Sequence, residues 1–304
     1  MIQNLVHMLL LIAMPPLLLG IINKTKALFA GRVGPPVLQP YYDLLRLFRK
    51  SMVTSGTATW VFAAGPVAGV VTAVLAGMLL PLSGPQAPFH FAGDFILFAY
   101  LLGLGRFLTA VSALDTGSSF EGMGAAREVT FAALAEVVLF FSLLVLARLA
   151  GQLSFSDMLA GGLFSTWTSA NAALVLVLAS LFIVLLAENC RIPFDDPNTH
   201  LELTMIHEVM VLDHSGPALG LVTYGAAVKL FILGALVLRV AVPLPTGSML
   251  LDPMLFVAGI VVVAVIVGVV ESVMARLRLA HVPNLLIAGG LLSGFGLLLA
   301  LRGS

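Results

Sequence analysis

Apolar residues in this chain run in long unbroken blocks. Eight such blocks, at 2–22, 60–80, 95–114, 129–150, 172–189, 219–241, 254–271 and 282–301, each come close to the roughly 20 residues a helix needs to cross a bilayer. The pattern predicts an all-α integral membrane protein with about eight transmembrane helices, forming one polytopic domain over residues 1–304. The first block has no basic start and no small-residue cleavage site, and it contains Pro15-Pro16, so it reads as a retained helix rather than a signal peptide. No soluble domain, low-complexity linker or internal repeat stands out.

Composition agrees with this reading. The 304 residues are 60% hydrophobic and only 10% charged, with a mean hydropathy of +1.09. A soluble domain carries about 25% charged residues. Disorder, nucleic-acid binding and a secreted disulfide scaffold are excluded, and the one cysteine, Cys190, leaves no intrachain disulfide or cysteine cluster. Formal net charge is zero, so the placement of charges carries the information. The first loop holds Lys24, Lys26, Arg32, Arg46, Arg49 and Lys50, and later odd-numbered loops add Arg127, Arg191, Arg276 and Arg278. Even-numbered loops hold essentially none; Arg148 and Arg302 stand at the outer edges. Basic loops stay in the cytoplasm. The odd loops are therefore expected to be cytoplasmic, with both termini across a cell membrane.

Ionisable residues inside spans are costly and commonly functional. Arg106, Glu128, Glu136, Glu188, Lys229, Arg239 and Glu271 lie in or near spans. Glu136 follows Glu128 by about 12 Å along a helix and about 80° around it, a spacing that suits steps in a proton path. Glu188 and Arg191 are spaced i,i+3, so they can face each other on a helix. Lys229 lies deep in its span and needs a partner or water. The alternative is packing ion pairs or snorkelling side chains, which applies most to Glu188–Arg191 and to Arg239.

The odd loops carry the polar chemistry. In the first, a Gly/Pro turn precedes Leu44, Leu45, Leu47 and Phe48 interspersed with charges, which predicts a short amphipathic helix for a lipid surface or a docking partner. The third, rich in Gly and Ser between Leu114 and Glu128, is no phosphate loop. In the fifth, Asp195-Asp196-Pro197 predicts a helix start, with a helix running to about Leu212. His200, His207 and His214, seven apart, would line one face of it, near Glu202, Glu208 and Asp213. Successive histidines would sit about 10 Å apart, too far to share one metal ion without other ligands. A proton-handling stripe, a partner-facing stripe and a plain polar face all remain open.

Together these motifs resemble the membrane-subunit family shared by respiratory complex I, as its subunit 1, and the membrane-bound nickel–iron hydrogenases, as the subunit 4 type of formate hydrogenlyase and hydrogenase-4. The first-loop run Gly31-Arg32-Val33-Gly34-Pro35, with Leu38-Gln39 and Asp43, carries the resemblance. So do Ala187-Glu188, Arg191, Pro193-Phe194-Asp195, Pro197 and Glu202-Leu203. The spacing of Gly34-Pro35-Pro36-Val37-Leu38-Gln39, the third loop from Asp115 to Glu128, and Glu271 with Met274-Ala275-Arg276 resemble the hydrogenase branch.

The resemblance implies a subunit that binds no metal or other cofactor itself and is not catalytic alone. It implies soluble large and small hydrogenase-like subunits and an iron–sulfur subunit as partners, carrying iron–sulfur clusters and nickel–iron, and antiporter-like membrane subunits alongside. Glu128, Glu136, Glu188, Asp195 and Glu202 would belong to a coupling path, with His200, His207 and Lys229 as further proton-handling candidates. Arg32, Asp43, Arg46, Asp115, Arg191, Asp213 and His214 would organise the partner interface. The chain departs from the family at Asn198 and His200, where further acids are usual, and at Asp213-His214-Ser215-Gly216, where Glu-Tyr-Ser-Gly is common. The acidic relay is thinned and histidines stand in its place. The alternatives are a quinone-chamber subunit of an NADH dehydrogenase, with quinone as ligand, and a stand-alone secondary transporter.

Overall fold

A computed structural model describes residues 2–82, 84–159, 163, 167, 171–195, 205–242, 248 and 251–302. Among the described residues, the helices of ten residues or more are α1 (Ile2–Phe29), α2 (Gln39–Phe48), α3 (Trp60–Gly77), α4 (Asp94–Asp115), α5 (Ser119–Ala150), α6 (Asn171–Glu188), α7 (Gly216–Ala241), α8 (Leu251–Val273) and α9 (Val282–Arg302). Among the described residues there is no strand. Seven of these helices are long and apolar enough to cross a membrane, and α6 is an apolar helix of 18 residues ending at Glu188. All eight apolar blocks are thus helical. The amphipathic helix also forms, as α2, with Leu44 buried and Tyr42, Leu45 and Phe48 exposed.

The core gathers around α7, which packs against α1, α2, α3, α6 and α8. Every residue from 230 to 240 is buried. Without a hydrophobic drive between helices in lipid, close backbone approach does the work. Gly65 of α3 shows it: a Cβ there would collide with the Ser112 side chain of α4. Arg239, expected to snorkel or pack, ties α7 to the outer loop by donating to the carbonyls of Pro81 and Leu82, both at 2.8 Å, and of Gly84 at 3.2 Å.

Three local expectations need correction. The third loop is shorter than its composition implied, because α5 begins at Ser119 rather than at 129. Only Thr116-Gly117-Ser118 remains, with Gly117 at φ +71° making the turn. Gly124, which suggested a loop, is a packing residue: a Cβ there would meet Met210 Cγ at 3.0 Å and the Ile206 carbonyl at 3.2 Å.

The fifth loop does not continue as one helix to Leu212. Met205 and Ile206 are non-helical, and Glu208–Val211 is a single 3₁₀ turn. Tertiary bonds outcompete the helix here. Ile206 N donates to Asp195 Oδ2 at 2.8 Å, Arg127 Nη1 to the Met205 carbonyl at 3.0 Å, and Asp213 N to Glu121 Oε1 at 2.9 Å. His207 and His214 therefore share no helical face. His200, Glu202 and Asn198 lie outside the described residues.

The Glu188–Arg191 pair does not form either. Helix α6 stops at Glu188 and Cys190 takes the left-handed region at φ +46°, which side-chain-bearing residues rarely adopt. The chain reverses there, with Arg191 N bonded to the Leu186 carbonyl at 2.9 Å. Arg191 is swung away to Glu271 on α8, at 3.3 Å. Residues Cys190, Ile192, Phe194 and Asp195 are buried in protein, the setting in which non-helical backbone is tolerated at membrane depth.

Asp115 ends α4 and caps α3. Its carboxylate accepts from Thr59 N at 2.7 Å, Phe62 N at 3.2 Å and Thr59 Oγ1 at 2.8 Å. The two backbone N–H groups are orphan donors of a helix start. We expect Asp115→Ala to lower the melting temperature of the detergent-solubilised chain, as loss of a cap does. An unchanged melting temperature with lost partner binding would instead mark Asp115 as an interface residue.

Candidate functional site

The site is built on Arg106, near the middle of α4. A glycine three residues earlier on the same helix makes room: a Cβ on Gly103 would stand 2.9 Å from Glu136 Oε1. The Arg106 guanidinium donates through Nη1 to Glu188 Oε1 of α6 at 2.5 Å and through Nη2 to Glu136 Oε1 of α5. Lys229 of α7 approaches the other oxygen of Glu188 at 3.7 Å. One planar fork thus joins three helices, a geometry suited to Arg and not to Lys. The Arg106 and Glu188 side chains are 7% and 3% exposed, whereas Glu136 is 39% exposed.

Glu128 completes the group from one side. It is buried and accepts from Cys190 Sγ at 3.6 Å. Among the described residues it has no ion pair, in contrast to Glu136 and Glu188. Two small cavities, of about 70 and 20 Å³, meet at Arg106 and Glu128. The first also reaches His207 and Lys229. A third, of about 160 Å³, reaches Cys190, Arg191, Asp195, His207 and Glu208.

The structure therefore brings Glu128, Glu136, Glu188, Lys229 and His207 to one region. Asp195 lies at its edge, bonded to Arg276 at 2.9 Å. Glu202 and His200 are not described. Arg106, the residue that organises the group, was named in the sequence only among the charges in or near spans, with no place in the coupling path or the interface. Its only signal was a guanidinium among apolar residues of a span, which demands carboxylates nearby.

A second ion cluster closes the basic end. Glu271 of α8, its side chain fully buried, pairs with Lys26 of α1 at 2.8 Å and with Arg191 at 3.3 Å. The residues expected at a partner interface divide. Arg32, Arg46 and Asp213 are exposed and Asp43 half-exposed, with Asp43 bonded to Gln39 and 3.8 Å from Arg46. Asp115 and Arg191 are committed inside the chain, and His214 is buried against Phe62, ring centroids 4.1 Å apart.

A family model described as NADH dehydrogenase matches residues 2–301. The chain belongs to the NADH dehydrogenase family. The resemblance read from the first and fifth loops is thereby established. Formate hydrogenlyase subunit 4 of Escherichia coli (strain K12) is 31% identical over 94% of this chain and 94% of its own length. Hydrogenase-4 component C of the same organism is 32% identical over 88% of this chain and 86% of its own length. A chain of the membrane-bound sulfane sulfur reductase, an archaeal respiratory membrane complex, superposes with a TM-score of 0.84 over 100% of this chain and 99% of its own. At 22% identity that likeness shows the fold. This NADH dehydrogenase family member is thus a multi-pass membrane protein whose relatives are subunits of larger complexes.

Breaking the Arg106 fork leaves buried carboxylates unpaired. Arg106→Met is expected to cost roughly 3–5 kcal/mol, and adding Glu188→Leu to recover part of that loss, both read by thermal unfolding in detergent. Equal stability of all three proteins would show that the fork contributes nothing. His214 gives a pH-dependent prediction. Burial holds its pKa below the ordinary value of 6.5, with Asp213 pulling the other way. Below about pH 6.5 the unfolded chain takes up a proton that the folded chain refuses, so stability falls as pH drops towards the lowered folded value. His214→Phe is expected to flatten that fall in a melting-temperature series from about pH 8 to about pH 5.

Proposed function

We propose that this chain is the membrane-anchoring and ion-coupling subunit of a multisubunit hydrogenase-type oxidoreductase complex, of the kind that formate hydrogenlyase and hydrogenase-4 represent. The observation that carries the reading is the charge count at the Arg106 group. Three buried or half-buried carboxylates, Glu128, Glu136 and Glu188, face two cations, Arg106 and Lys229. One negative charge is left over, and it falls on Glu128. A mobile proton balances it, and a group that gains and loses one ion beside a shared guanidinium can report electron transfer elsewhere as a change in charge. Glu136 and Glu188 then respond through Arg106, which both already hold.

The surroundings support the same reading. Cys190, His207 and the cavity leading past Asp195 connect Glu128 towards the basic end. The half-exposed Glu136 lies within a span, where a carboxylate needs a polar cover. A neighbouring antiporter-like membrane subunit supplies that cover and receives the ion, proton or sodium. At the basic end, exposed Arg32, Arg46 and Asp213, with Asp43, form the face on which the soluble iron–sulfur and nickel–iron arm docks. The odd-numbered loops are then cytoplasmic, and the redox cofactors sit on the partner subunits.

A second reading, the quinone-chamber subunit of an NADH dehydrogenase, is favoured by the description of the matching family model. Its mark would be quinone co-purifying with the complex in place of nickel. For the first reading, Glu128→Gln in the intact complex reconstituted into vesicles is expected to leave subunit composition unchanged and at least halve the ions moved per electron. Ion movement equal to wild type would overturn the assignment of Glu128.

A further inference from the structure

Three donor groups of different chemistry meet where the cavities join. They are Glu128 of α5, Cys190 of the reversal after α6, and His207 just before the 3₁₀ turn, and their ligand atoms all lie within 4.8 Å of one another. Cys190 Sγ and Glu128 Oε2 are 3.6 Å apart. Around a tetrahedral zinc ion, with bonds of about 2.0–2.3 Å, donor atoms stand about 3.3–3.8 Å from each other. The Glu128–Cys190 spacing is already that, and His207, half-buried on a short turn, need move only by about 1 Å.

We infer that Glu128, Cys190 and His207 form a binding site for a thiophilic divalent cation of the zinc type. Thiolate, imidazole and carboxylate are the donors zinc takes, and three protein ligands with one open position is the arrangement of accessible zinc sites. The open position faces the cavity of about 70 Å³ that Glu128 and His207 line, which leaves room for a water ligand. Entry runs through the cavity of about 160 Å³, whose lining includes Asp195 and Glu208 beside Cys190 and His207.

Within the Arg106 group Glu128 is the carboxylate without an ion pair among the described residues, because Arg106 is taken up by Glu136 and Glu188. On binding, the Cys190 S–H bond breaks, its proton leaves to water and a metal–sulfur bond forms, so affinity rises with pH. The site stands on donor geometry alone. Its consequence, that a bound ion withdraws Glu128 from proton exchange and inhibits turnover, rests on the coupling reading.

The test uses the full chain purified in mild detergent. Cys190 is the only cysteine, so a thiolate-to-cobalt charge-transfer band during Co²⁺ titration reports this site. We expect the band to saturate at one Co²⁺ per chain, and zinc to be retained at one per chain after gel filtration. Cys190→Ser should abolish the band, and both Cys190→Ser and His207→Gln should weaken zinc binding at least tenfold at unchanged elution volume and melting temperature. No band in the wild type, or zinc held as tightly by Cys190→Ser, would overturn the site. Should the variants fail to fold, zinc is expected to slow alkylation of wild-type Cys190 by N-ethylmaleimide at least tenfold, read by mass spectrometry, and an unchanged rate would overturn it equally.

Discussion

A guanidinium placed in the middle of a membrane span constrains everything around it. Arg106 has to be met by carboxylates, and the helices that supply them are thereby fixed in rotation and depth. Glu136 sets the face of α5 turned to α4, and Glu188 sets the level at which α6 ends. Because α6 ends there, the chain beyond it begins as non-helical backbone among buried residues, and that reversal is what brings Cys190 to Glu128. A change at Arg106 would reach far beyond one ion pair.

The same constraint separates two kinds of polar residue. Glu271 with Lys26 and Arg191, and Asp115 with the start of α3, are closed arrangements whose charges or donors are answered within the chain. Glu128 is different: it is buried beside an arginine already engaged by two other acids. Burying a charged or polar group without a full set of partners is costly, and such a cost is retained where it serves a function. The proposals for coupled ion movement and for a zinc-type site draw on this one imbalance.

Much of the fold was legible in the sequence. Apolar length and low charge sufficed for the seven helices long enough to span a membrane and for the apolar α6, and the spacing of apolar and charged residues sufficed for α2. The loop motifs sufficed for the family. What failed was local structure decided by tertiary bonds. The glycines between Leu114 and Glu128 read as a loop, because nothing in one sequence shows that Gly124 makes room for the turn carrying Val209 and Met210. The histidine spacing in the fifth loop read as a helical stripe, because the bonds from Asp195, Arg127 and Glu121 that break the helix span distant residues. Spacing i,i+3 brought Glu188 towards Arg191 only on paper, since the left-handed Cys190 lies between them. The acids of the site were identifiable one by one; that Arg106 gathers them was not, because it joins α4, α5 and α6 across the bundle.

The central claim is that Glu128 carries the exchangeable charge of the Arg106 group when the partner subunits change redox state. Redox-induced infrared difference spectroscopy on the intact purified complex tests it most directly, because a carboxylic acid that gains or loses a proton shows a C=O band of its own. We expect such a band in the wild type, its loss in Glu128→Gln and its persistence in Glu271→Gln. A difference spectrum unaltered by Glu128→Gln would contradict the claim.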